Sequence, residues 1–229
     1  MNAPLRVVLI GANGRMGRTI RGCAAEDSRL TISAGLDYGD PLEPAIAECE
    51  VVIDFSAPEA TPAVCEACGK HRKPLVLGTT GHDPTQKESV AAAARVVPVV
   101  FAANFSTGVN VLFALTRRAA ESLGKEFDLD VVELHHRTKK DAPSGTAKRL
   151  LEILREVRGD RETKAQSIRA GDIVGEHTVI FSGKGERLEL THRAGGRETF
   201  ALGALRAACW VIEQPPGLYD MQAVLGLAC

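Results

Sequence analysis

Aromatic side chains are scarce, with one Trp, two Tyr and seven Phe among 229 residues. Nucleic-acid binding by base stacking needs such platforms, and few are available. Net charge is equally small, 28 Lys and Arg against 29 Asp and Glu. That balance excludes a surface that grips nucleic acid or an anionic membrane as a whole, so any charge-based function must be local. The first apolar stretch, Val7 to Ile10, is interrupted by Gly11 and is too short for a signal h-region or a membrane span. The expectation is a cytoplasmic protein with no membrane or nucleic-acid partner. Dense cysteine spacing is also missing: Cys23, Cys49, Cys65, Cys68, Cys209 and Cys229 are scattered, which argues for reduced thiols over a disulfide framework. Cys65 and Cys68 form a C-x-x-C inside the helical-looking stretch Pro58–Lys70, but no second pair follows at zinc spacing, so no metal site is expected. What is present is an ordinary globular composition, 45% hydrophobic, long enough for one large or two modest domains.

The first half alternates short apolar runs with amphipathic stretches. Leu5–Ile10, Thr31–Leu36, Val51–Phe55, Pro74–Leu77 and Val97–Ala102 read as strands buried on both faces. Gly14–Glu26, Pro58–Lys70 and Asp83–Arg95 read as helices between them, the rhythm of a doubly wound parallel sheet. Only Asp37–Glu50 separates the second strand from the third, so that crossover must be short. The second half differs. A helix over about Ser106–Leu123, a strand over Phe127–His136, a helix over about Ser144–Val157 and a hairpin pairing His177–Phe181 with Arg187–Thr191 suggest a small separate domain with a mixed or antiparallel sheet. Arg197–Glu213 is apolar almost all round, the mark of a buried helix, which we expect to return to the first domain.

Gly11-Ala12-Asn13-Gly14-Arg15-Met16-Gly17 follows a buried strand and opens a helix, the context that makes a glycine triplet informative. Gly11 suits the tight turn, Gly14 the close approach of a pyrophosphate, and Gly17 the seating of the helix on the sheet. Asp37, at the end of the second strand, stands where an acid accepts hydrogen bonds from an adenosine ribose. Tyr38 follows it and offers no cation for a 2′-phosphate, which favours NADH over NADPH, with Arg15 able to supply some compensation. Gly78-Thr79-Thr80-Gly81 and Ala102-Ala103-Asn104-Phe105-Ser106 follow the fourth and fifth strands, at the carboxyl edge where such sheets bind ligands. Plain turn chemistry, with Ser106 as a helix cap, is the alternative for these loops.

The densest polar constellation runs from Glu133 to Thr146 and packs His135, His136, Arg137, Lys139 and Lys140 into six positions. If Ser144-Gly145-Thr146 opens a helix, its N–H groups and the neighbouring cations suit a dicarboxylate. A histidine there can move a proton during reduction of a C=C or C=N bond, and cationic neighbours should lower its pKa. A solvated loop is the competing reading.

These segments carry a resemblance. G-x-x-G-R-M-G at Gly11, D-F-S-x-P-E-A-T at Asp54, G-T-T-G at Gly78, A-N-F-S-x-G-V-N at Ala103, E-L-H-H-R-x-K-x-D-A-P-S-G-T-A at Glu133 and G-E-R-L-E-L-T-H-R-A at Gly185 resemble the 4-hydroxy-tetrahydrodipicolinate (dihydrodipicolinate) reductase family of lysine and diaminopimelate synthesis. The resemblance implies an α/β fold: a Rossmann-type doubly wound domain, 1–106 completed by 197–229, and a smaller α+β domain, 107–196, that binds substrate and builds a homotetramer. It implies an enzyme using NADH or NADPH. Gly11, Ala12, Asn13, Gly14, Arg15, Met16, Asp37, Gly78, Thr79, Thr80, Ala102, Ala103, Asn104 and Phe105 match nucleotide contacts. His135 and Lys139 match the proton-handling catalytic pair, and His136, Gly145 and Thr146 match substrate binders. Lys140 has no matching role, and His177 and His192 are left unassigned as packing residues. The rivals are a non-catalytic NAD(H) sensor and a Rossmann reductase of another carboxylated imine.

Overall fold

A computed structural model describes residues 3–159 and 163–227; Cys229 lies outside them. Contacts divide the chain into two compact units, one running to Ser106 and resuming at Glu198, the other spanning Thr107–Arg197.

The first unit begins β1 (Leu5–Ile10), α1 (Arg15–Ala25), β2 (Leu30–Leu36), α2 (Leu42–Glu48), β3 (Val51–Asp54), α3 (Thr61–His71), β4 (Leu75–Leu77), α4 (Pro84–Ala94), β5 (Pro98–Phe101). All its strand pairs are parallel. Alternate strand residues face opposite sides of a sheet, and here each side is apolar. Val7, Leu9, Val51 and Ile53 join one buried cluster, while Val8, Ile10, Val52, Leu75 and Leu77 join the other with α3 and α4. That double burial is why the strands read as unbroken apolar runs. β2 departs from the expectation of burial on both faces: Thr31, Ser33 and Gly35 are exposed because β2 is an edge strand beside β1 alone. Chain order reverses at β1, which lies between β2 and β3, so the ligand crevice of this architecture falls at the carboxyl ends of β1 and β3.

The C-x-x-C of α3 is packing. Cys65 and Cys68 are buried, and that burial pushes the Cys65 thiol up to about 12 and Cys68 well above its ordinary value. Such thiols are inert at neutral pH. The five cysteines among the described residues are all free.

The second unit contains α5 (Thr107–Ser122), β6 (Asp128–His135), α6 (Gly145–Arg158), β7 (Ala165–Arg169), β8 (Gly175–Gly183) and β9 (Glu186–Ala194). The sheet order is β7-β6-β8-β9, parallel between β6 and β7 and antiparallel elsewhere. Val131, Val179 and Phe181 pack under Leu112 of α5 and Leu150, Leu151 and Leu154 of α6. Residues two apart along a strand share a face, so this apolar face runs on through Val131 to Glu133 and His135, and from Val179 to His177.

The chain then returns to the first unit through α7 (Glu198–Val211), β10 (Gly217–Tyr219) and α8 (Met221–Val224). β10 pairs with β5 and completes a six-stranded parallel sheet. Ala201, Ala204, Leu205, Ala207, Ala208 and Val211 bury one broad face of α7. The helix is not buried all round, since Leu202 is 56% exposed. No described helix is long and apolar enough to cross a membrane.

Candidate active site

At the carboxyl end of β1 the chain turns through Gly11, whose φ of 79° suits only glycine without strain. A Cβ there would lie 2.6 Å from the Phe55 carbonyl oxygen, and one on Gly17 would lie 2.1 Å from the Gly11 oxygen. Both glycines therefore let backbone approach backbone across the reversal point of the sheet. The residues of this turn are not equally available. Gly11 and Ala12 are buried beneath it, Met16 is half-buried, and Asn13, Gly14 and Arg15 are exposed. α1 starts on Gly14 with no side-chain cap and no acid in its first turn, so its opening N–H groups suit an anion. Asp37 accepts the Asn13 N–H at 3.2 Å on each carboxylate oxygen, and Asp40 accepts the Asp37 N–H at 2.8 Å. The second acid, unremarked in the sequence, adds negative charge beside Asp37.

The two later loops are tied to the same edge. A Cβ on Gly78 would lie 2.2 Å from the Phe55 ring, and Phe55 in turn packs on Phe105 with centroids 5.4 Å apart. Phe105 is buried, so its side chain is core. Asn104 Oδ1 accepts the Ser106 N–H at 2.8 Å, and Ser106 Oγ lies 3.2 Å from Thr199 Oγ1. Thr79 is buried with its hydroxyl 3.4 Å from Asp54, while Thr80 and Ala103 are exposed and Ala102 is half-buried. The glycine cradle, the uncapped helix start and the acid after β2 fit a dinucleotide.

In the second unit, strand register builds the chemical cluster. Glu133 stands opposite His177 across the β6–β8 pair, and His135 is in register with Arg169 of β7. His135 Nδ1 bonds Glu133 Oε2. Arg169 donates to Glu133 Oε1 at 2.7 Å and to the Asp141 carbonyl at 2.6 Å, and the Ser144 N–H donates to the same Glu133 oxygen at 3.3 Å. Ser144 caps α6 by accepting the Ala147 N–H at 3.2 Å, and its hydroxyl lies 3.1 Å from His177 Nε2. Gly145 and Thr146 thus open the helix. Lys139 Nζ pairs with Asp141 at 2.8 Å, and its charge acts on His135. His136 Nδ1 lies 2.7 Å from Thr138 Oγ1 and is tied into the loop instead.

The sequence pointed to His135 and Lys139 and missed Glu133, Arg169 and His177 as members of one cluster. Glu133, His135 and His177 each bring a ligand-type atom within 4.8 Å of the others. Arg169 already neutralises Glu133, and His135 and the Ser144 N–H share its two oxygens. The carboxylate of the trio is therefore already engaged by donors, with His177 joined to the group through Ser144 and a ring contact with His135.

The pKa of His135 is lowered, first by burial, with Glu133 opposing and Lys139 and Arg169 assisting. The expected effect of cations is present, but it ranks below burial. Burial also lowers His177 to about 4, while hydrogen bonds from Arg169, Ser167 and His135 outweigh the burial of Glu133 and hold it at about 2. Both shifts destabilise the fold on acidification. From pH 6.5 down to about 4 the unfolded chain gains a proton on His177 that the folded chain refuses. From 4.5 down to about 2, Glu133 loses its ionic bonds. We expect Tm to fall progressively through this range, and His177→Asn to flatten the upper part. A Tm constant from pH 7 to pH 4 would contradict the assignment.

A glycine cradle at the ligand edge of a doubly wound parallel unit is the arrangement that takes a dinucleotide, and by its relatives this chain is a nicotinamide-dependent oxidoreductase. Family models narrow it further: dihydrodipicolinate reductase, N-terminus, matches residues 5–105, and dihydrodipicolinate reductase, C-terminus, matches 108–225. The chain belongs to the dihydrodipicolinate reductase family. It is 44% identical over 243 residues to the 4-hydroxy-tetrahydrodipicolinate reductase of Akkermansia muciniphila, covering 98% of this chain and 99% of that one. With the enzyme of that name from Halorhodospira halophila it is 43% identical over 265 residues, covering 97% and 99%. Its fold is similar to that of a dipicolinate-bound dihydrodipicolinate reductase from Paenisporosarcina sp. TG-14, with a TM-score of 0.82 at 24% identity over 95% and 97% of the two chains.

Proposed function

We propose that the chain catalyses the reduction of 4-hydroxy-tetrahydrodipicolinate, after loss of water, to tetrahydrodipicolinate in lysine and diaminopimelate synthesis. The observation that carries this reading is His135 seated on Glu133 beside Lys139 and the opening of α6, in a chain alike along its whole length to reductases of that name. The nicotinamide supplies the hydride for C4 of the cyclic unsaturated imine. The electron pair displaced onto the ring nitrogen leaves an enamine, and protonated His135 returns a proton to the adjacent carbon. Lys139, His136 and the Gly145 and Thr146 amides hold the substrate carboxylates, using charge and the helix start. Gly11–Met16 cradle the pyrophosphate, Asp37 takes the ribose, and the Gly78–Thr80 and Ala102–Phe105 loops line the nicotinamide end.

NADH is the preferred donor in this reading. Tyr38 is fully exposed and Asp40 stands on the Asp37 N–H, so a 2′-phosphate would meet two carboxylates, and Arg18, the cation bonded to this turn, is engaged with the Asn13 carbonyl at 2.9 Å. The expected outcome is a higher kcat/KM with NADH than with NADPH, and the reverse ratio would remove this assignment. We place the enzyme in the cytoplasm as a homotetramer. The deciding experiment is NAD(P)H oxidation with the cyclic substrate generated in situ. No oxidation with either nucleotide, despite nucleotide binding, would leave a non-catalytic sensor.

A further inference from the structure

A carboxylate with no hydrogen to donate can stand in only one relation to an imidazole that touches it. Glu133 is fully buried and holds four hydrogen-bonding neighbours: Arg169 and the Ser144 N–H, which can only donate, on Oε1, the Ser167 side chain, whose bond also favours the charged carboxylate, and His135 on Oε2. An ionised carboxylate only accepts. The nitrogen facing it, His135 Nδ1, must therefore carry the hydrogen, which leaves the lone pair of neutral His135 on Nε2. We propose that Glu133, held in place by Arg169, is the positioning residue that fixes His135 in the Nδ1–H tautomer and reserves Nε2 for proton exchange with substrate. The role rests on His135 being the proton-handling group of the reaction proposed above.

Three further features agree. His135 and Arg169 occupy paired positions on β6 and β7, so the guanidinium reaches Glu133 from the neighbouring strand, and its three acceptors, Glu133 and the carbonyls of Asp141 and Ile168, hold it there. Arg169 is planar and permanently charged, which keeps Glu133 ionised whatever His135 does. Gly175 of β8 carries no side chain, and a Cβ there would stand 3.0 Å from His135 Nε2. A larger residue at 175 would therefore crowd the nitrogen that the tautomer reserves.

The charged and titratable groups acting on His135 are Glu133 on its own strand, Arg169 from β7, Lys139 from the following loop and His177 from β8. Of these only Glu133 favours the imidazolium. Removing its charge must therefore lower the pKa of His135, and any limb of the pH–rate profile that reports His135 must move to lower pH.

Two measurements test the proposal. Nitrogen-15 NMR of the histidine-labelled wild-type protein, with His135→Gln to assign the signals, is expected to show neutral His135 protonated at Nδ1. An Nε2–H tautomer overturns the proposal, and this measurement needs neither substrate nor a variant of Glu133. In Glu133→Gln the pH–rate limb is expected to shift down by about one unit and kcat to fall about tenfold or more, with KM changed much less. A folded Glu133→Gln enzyme with the wild-type limb and kcat also overturns it. Should that variant fail to fold, the tautomer decides. Wild-type protein inactive on the cyclic imine but carrying the Nδ1–H tautomer would remove the reaction assigned above and leave the tautomer standing.

Discussion

Substituting His135 with alanine is expected to lower kcat by about 10²- to 10⁴-fold, the range lost when a positioned proton donor is removed. Binding of nicotinamide nucleotide should be unchanged, because every residue assigned to it lies in the other unit. Stability should change little in the direction of unfolding, since Glu133 keeps Arg169 and the Ser144 N–H after the imidazole is gone. Lys139→Ala is expected to act differently. Its ammonium is partnered by Asp141 alone among the described residues and is free to exchange that partner for a substrate carboxylate, so KM should rise together with a fall in kcat. Steady-state kinetics paired with nucleotide titration separates the two patterns. Near-normal turnover in both variants would remove the chemical site from the Glu133–Thr146 segment.

The second large effect is structural. Gly203 lies in α7 where its Cα meets the loop that follows β5, and an added Cβ would fall 1.8 Å from the Phe105 carbonyl oxygen and 2.8 Å from its carbon. Backbone is on both sides, so no side-chain rotation relieves the overlap. Gly203→Ala should destabilise by about 3 kcal/mol, a fall in Tm of roughly 10 °C, and should weaken nucleotide binding by displacing the Ala102–Phe105 loop. Gly22→Ala and Gly69→Ala are the controls. They sit in α1 and α3 with nothing within 4 Å of the added atom, and alanine there should be neutral or stabilise by about 0.5–1 kcal/mol. Equal melting temperatures for Gly203→Ala and the controls would show that α7 does not press on the loop.

The parallel sheet was legible because β1, β3, β4 and β5 are covered on both faces, which forces unbroken apolar runs such as Val7–Ile10 and Val51–Ile53. Elements with weaker demands escaped notice. α2 is short and begins beside Pro41, β10 is three residues long, and β7, Ala-Gln-Ser-Ile-Arg, is an edge strand with three exposed positions and no apolar alternation. The same limit governed the site. His135 and Lys139 stood out because they are crowded locally with other cations. Glu133 looked like a flank, and Arg169, 36 positions away, gave no local sign of belonging. His177 read as hairpin packing. Those three are joined by strand register, and register is a property of pairing that spacing along the chain does not encode.

The return of α7 and β10 to the first unit orders events during synthesis. Thr107–Arg197 can complete its sheet and helices while the remainder is still being translated, whereas the amino-terminal strands wait for the last segment to supply their outermost member and the helix beneath. A chain stopped near Glu198 would therefore keep every strand and helix of the unit that carries the imidazole and lack the α7, β10 and α8 that complete the unit made first.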